Sequence, residues 1–259
     1  MISSIYHSYD HYLAPEITDA MQQTIEAALD AHGAVTVFFR ADDIGVLSKN
    51  YQHLMALFLK YQTPLCLAVV PAWMTQSRWE AMAEFHGKKE TLFCWHMHGY
   101  RHMNHEIKGK KQEFGAIRST RALSSDLSRG HERLTAIMGK NLTPVFTPPW
   151  NRCSPETLML LKEKGFKAVS RSQGSLPLSP PGLRDFPVHV DLHTRKEQRA
   201  KEGWQTLLAE FTTGMNDDAC GIMIHHMRMN HQAFIFLEYL LALFAGYKQI
   251  TVVAFNDLL

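Results

Sequence analysis

The sequence has no apolar run approaching the roughly 18 residues of a membrane-spanning helix, so no membrane partner is expected. From Met1 to Asp10 there is no basic stretch followed by an apolar one, which argues against a secretory signal. Cys-x-x-Cys is absent too. Cys66, Cys94, Cys153 and Cys220 are scattered, and three lie in apolar, strand-like runs where a free cysteine acts as a small buried hydrophobe. Together these absences predict a reduced, cytoplasmic chain. Charge of one sign is lacking as well: 27 basic residues against 25 acidic ones leave a formal +2, no argument for a nucleic-acid partner. No Gly-x-Gly-x-x-Gly follows the first apolar strand, which weakens a dinucleotide-binding reading. No repeat or long linker divides the chain. Residues 1–259 are therefore expected to form a single domain, with 1–33 as an N-terminal helical extension packed on it.

What is present is a regular alternation. Hydrophobic residues make up 46% of the chain and charged ones 20%, enough to bury a sizeable core. Apolar runs at 35–40, 65–70, 91–96, 145–147, 167–170, 186–190, 221–224 and 250–254 read as strands. Between them, helical spacing covers 15–31, 49–61, 75–85, 118–138, 155–164, 204–211 and 231–244, and Gln173 to Leu183 reads as a loop. Nearly continuous apolar strands alternating with helices predict a parallel sheet covered by helices, either open or closed into a barrel.

The unusual polar groups collect at the carboxyl ends of those strands. Asp42 and Asp43 follow the first, and the third leads into Cys94-Trp95-His96-Met97-His98-Gly99-Tyr100-Arg101-His102-Met103-Asn104-His105, four histidines in twelve residues. Thr147-Pro148-Pro149-Trp150-Asn151-Arg152 follows the fourth strand, and His225-His226 ends the penultimate one. In a parallel barrel such ends share one face, where active sites are built. Imidazole and carboxylate suit a borderline divalent cation such as zinc. The His98/His102 spacing would put both rings on one side of a helical turn. His96, inside the strand, is expected to be a hydrogen-bonded core residue. Only one of His225 and His226 can face the rim of an extended strand.

In order and spacing, Arg40-Ala41-Asp42-Asp43, His98-Gly99-Tyr100-Arg101-His102-Met103-Asn104-His105, Glu113-Phe114-Gly115, Pro148-Pro149-Trp150-Asn151-Arg152 and His225-His226 resemble the polysaccharide deacetylase superfamily of carbohydrate esterases. The resemblance runs from about Val35 to the carboxyl terminus. It implies a distorted (β/α) barrel of seven to eight mostly parallel strands and metal-dependent removal of an acetyl group from an N-acetylated sugar or related small amide. It places one divalent ion, zinc first among the choices, on Asp43, His98 and His102. Asp42 becomes the general base toward the attacking water, and His225 the acid that protonates the leaving amine. Trp150, Asn151 and Arg152 become substrate contacts, with Arg40, His105 and His226 in support. Thr147 stands where the superfamily commonly has an arginine that orients the base, a role open to Arg40 or Arg152. Asp185 and Asp191 are candidates to tune His225. The implied partner is a small-molecule or glycan substrate. Two other readings are a non-catalytic carbohydrate-binding protein and a cyclic-amide hydrolase.

Overall fold

The structure is a computed structural model that describes residues 2–7, 14–86 and 90–259. Part of the predicted N-terminal extension, residues 8–13, lies outside the described residues, as does Met1. In chain order the elements are α1 (Pro15–His32), β1 (Val35–Ile44), α2 (Lys49–Lys60), β2 (Leu65–Val69), α3 (Gln76–His86), β3 (Phe93–His98), α4 (Thr120–Met138) and β4 (Leu142–Thr147). They continue with α5 (Pro155–Glu163), β5 (Ala168–Val169), β6 (Arg184–Asp185), β7 (Val190–Asp191), α6 (Ala200–Met215), β8 (Cys220–Ile224), α7 (His231–Ala245), β9 (Ile250–Val253) and α8 (Phe255–Leu258). The strands pair in parallel and alternate with helices, the distorted (β/α)-barrel class that the sequence leads one to expect.

The chain divides into two compact units. The first comprises Met1–Ala41, Ser48–Leu65 and Val188–Ala254. In it β1 lies between β8, aligned Val37 to Cys220, and β9, aligned Val35 to Ile250. Flanked on both edges and covered on both faces, β1 can be apolar almost throughout. Helix α1 turns Met21, Ile25 and Ala28 inward against α6 and ends at Gly33, whose φ of 76° suits the left-handed exit of a helix. Phe39 meets Phe58 edge-on at 5.3 Å and lies 5.9 Å from Phe244.

The second unit comprises Asp42–Leu47, Cys66–Pro187 and Phe255–Leu259. Its strands run in the order β6-β5-β4-β3-β2, and the Val70 amide donates to the Ile44 carbonyl at 2.9 Å, carrying the ladder onto the end of β1. Trp79 packs edge-on against Trp95 at 5.0 Å, and Phe114 against Phe146 at 5.3 Å. Side-chain caps fix where helices begin: Ser119 accepts from the Ala122 amide, and Ser154, just before Pro155, from that of Thr157.

Two details differ from expectation. The run 186–190 is not one strand; β6 ends before it and β7 begins at its last residue, because Pro187 has no amide to give the ladder. Helix α6 is longer than 204–211 at both ends. All four cysteines are free and buried, Cys153 included.

Candidate metal centre

Strand ends bring the predicted trio together. Asp43 is the penultimate residue of β1, His98 is the last of β3, and His102 sits four residues beyond it. The Asp43 Oδ1 atom lies 3.4 Å from His98 Nε2 and 3.2 Å from His102 Nε2. One ligand atom from each residue falls within 4.8 Å of the others, the one such group of three or more among the described residues. Asp43 takes a left-handed φ of 62°, a conformation aspartate tolerates better than most residues. Asp42 beside it is buried, whereas Asp43 is half-buried.

The tautomer of His98 follows from its partner. Its Nδ1 is 2.9 Å from the Thr147 carbonyl oxygen, and since a carbonyl only accepts, Nδ1 carries the proton. In a neutral ring Nε2 is then a lone pair aimed at a carboxylate oxygen. That arrangement is repulsive unless a second proton or a cation lies between them. Burial pushes the His98 pKa down, but Asp43 and Asp42 outweigh it and hold the imidazolium above its ordinary value. His102 goes the other way, lowered by burial and by the neighbouring His98. The donors fit zinc: a tetrahedral ion with bonds near 2.1 Å needs ligand atoms about 3.4 Å apart, close to the two separations from Asp43 Oδ1.

The ring of His102 is flanked by Trp73, at 5.8 Å, and Trp150, at 4.5 Å. Lys111 Nζ lies 5.9 Å from the Trp150 ring, and Arg152 Nη1 donates to the Lys111 carbonyl at 3.4 Å. Trp150 and Asn151 both have positive φ, and the Asn151 amide donates to the Pro148 carbonyl at 2.9 Å. His105 is exposed; its amide closes the loop onto the Gln112 carbonyl at 3.0 Å. His96 is fully buried with Nε2 2.9 Å from Thr147 Oγ1, the core role expected of it.

Arg40, His225 and His226 belong to the first unit. Arg40 is fully buried and donates to Met223 Sδ at 3.0 Å. His226 is buried edge-on to Tyr51, whereas His225 is half-buried. Asp185, in the second unit, is bound by Arg171 and Ser179. Asp191 takes up the amides of His193 and Thr194 in its own turn. A ring that sequence reasoning missed, His193, accepts the His225 amide at Nδ1 over 3.1 Å.

One expectation needs correcting. The His98/His102 segment is not a helical turn, because Gly99 and His102 have φ near 60° and 58°. Its amides are satisfied by Glu113, whose buried carboxyl is pushed up by burial against the pull of those donors. Trp73, Glu113 and the Thr147 carbonyl were not identified in advance; only Glu113 carried a signal, its place before Phe114-Gly115.

No family model matches the sequence, and neither does any curated protein. Solved structures do match, and they define the class: the chain has the fold of polysaccharide deacetylases and family 4 carbohydrate esterases. A proposed polysaccharide deacetylase from Mycobacterium smegmatis aligns with a TM-score of 0.61 at 16% identity, over 86% of this chain and 88% of that one. The family 4 carbohydrate esterase from Streptomyces lividans in complex with acetate aligns with a TM-score of 0.53 at 12% identity, over 86% and 93%. The pseudoenzyme BA3943 of the same esterase family, from Bacillus anthracis, aligns at 0.51 and 10% identity, over 85% and 64%.

Proposed function

We propose that this protein is a metal-dependent deacetylase acting on an N-acetylated sugar or a related small amide. The observation that carries the reading is the pair of imidazole Nε2 atoms turned on one Asp43 oxygen, with the His98 tautomer fixed by Thr147. The fold it shares with carbohydrate esterases supports it. Asp43, His98 and His102 hold the cation, which when bound polarises the acyl carbonyl and acidifies water. Asp42 takes the proton of the attacking water. His225, half-buried where His226 is enclosed, returns a proton to the leaving amine. Trp150 offers a flat face to a sugar ring, with Asn151 and Arg152 beside it. Arg40, two residues from Asp42 on β1 and so on the same face of the strand, is the residue that orients the base in place of the arginine absent at Thr147. His105 and His226 support the surrounding loops.

Acetate release from a panel of N-acetylated sugars tests this directly. Activity should vanish on chelation and return with zinc, whereas full turnover in chelator would overturn the metal-dependent mechanism. A second reading, a sugar-binding protein without turnover, draws on Thr147, whose hydroxyl is engaged with His96, and on the likeness to a pseudoenzyme. A wild type that binds a sugar but releases no acetate under any metal would favour it.

The pH response should carry a definite sign. Asp43 favours a second proton on His98, and that proton competes with the cation. The folded apo protein therefore gains stability from His98 at pH below the ordinary histidine value near 6.5 and loses it as pH rises through the raised one. Zinc should accordingly raise the melting temperature more at pH 8 than at pH 6. Equal increments at both would mean that His98 is not displaced from its proton by the metal.

A further inference from the structure

Two histidines four residues apart are easily held by a helix, which satisfies its own amides. Here the connecting residues turn back instead, and Tyr100, Arg101 and His102 all aim their amides at one side chain. Glu113 Oε2 accepts from Tyr100 at 3.1 Å and from His102 at 3.2 Å, while Oε1 accepts from Arg101 at 2.6 Å. The residue is 1% exposed, so water cannot take over these bonds. Successive amides converging in this way form an anion-binding nest, and the anion here belongs to the chain itself.

The surroundings leave the carboxylate little freedom. A Cβ on Gly99 would lie 2.2 Å from Glu113 Oε2 and 2.5 Å from Pro149 Cγ, so the loop closes on the carboxylate through the one residue without a side chain. The backbone that follows is also tied down. The Glu113 carbonyl accepts from Arg118 at 3.2 Å, and that of Phe114 accepts from the Ser154 amide at 2.8 Å.

We propose that Glu113 is the positioning residue of the metal centre, the internal anion around which the His98–His102 loop folds so that His102 faces Asp43. This rests on the metal reading for what His102 does there, but not for the nest itself. The partners that orient a metal ligand typically contribute 10–100-fold in affinity.

The test is Glu113→Gln, which keeps the size and shape of the side chain and replaces one acceptor oxygen with a donor facing amides. Zinc affinity, measured against a competing chromophoric chelator, should fall by about 10–100-fold. Leu127→Ala, on the buried face of α4 in the same unit, serves as a control for a general loss of stability and should leave zinc affinity within about twofold. A Glu113→Gln protein that binds zinc within about twofold of wild type would overturn the proposal, since a packing role survives that change. Amide hydrogen exchange in the metal-free wild type decides the nest separately and needs no variant. The Tyr100, Arg101 and His102 amides should be protected, and rapid exchange there would overturn the proposal. If wild type binds no zinc, the metal-centre reading fails and these three amides alone decide whether Glu113 holds the loop.

Discussion

Zinc at one hundred times its dissociation constant is expected to raise the wild-type melting temperature by about 5–10 °C and to leave the His98→Ala/His102→Ala protein unmoved. Binding to the folded state alone at that concentration contributes about 2.7 kcal/mol, and each kcal/mol moves a chain of this size by about 2–4 °C. The double variant keeps only Asp43, and one carboxylate does not hold a transition metal against water. The relevant quantity is the zinc-induced shift and not the melting temperature itself, because losing the His98 ring also strips the Thr147 carbonyl of a buried donor. Metal analysis of the purified proteins gives the same answer independently: about one ion per chain in wild type and almost none in the variant. Equal metal in both would remove Asp43, His98 and His102 from the assignment.

How much of this was legible in the sequence depended on what kind of atom did the work. That Asp43, His98 and His102 come together could be read because their side chains are chemically unusual and follow apolar strands, Asp43 and His98 at the ends of β1 and β3 and His102 four residues beyond. His96 could be placed in the core by alternation along β3. The geometry joining His98 to His102 could not be read. A four-residue spacing fits a helical turn, but Gly99 and His102 adopt positive φ and the intervening amides go to Glu113, beyond His102 in the chain. Backbone donors and acceptors leave no mark in a sequence, so the Thr147 carbonyl that fixes the His98 tautomer was equally invisible. The split of 186–190 had a visible cause in Pro187, which the apolar pattern around it outweighed. For the histidine pair, alternation left two choices, and only burial distinguishes the half-buried His225 from the enclosed His226.

Asp42→Asn should separate the base from the ligands. Asparagine has nearly the same shape as aspartate but cannot accept a proton at neutral pH, so turnover should fall by about 10²–10⁴-fold. Zinc content should hold at one ion per chain, because Asp42 is not among the three residues whose ligand atoms cluster. Loss of turnover together with loss of zinc would make Asp42 a ligand instead of a base. Unchanged turnover with zinc retained would leave the buried carboxylate outside the chemistry, and the proton would have to go to another group.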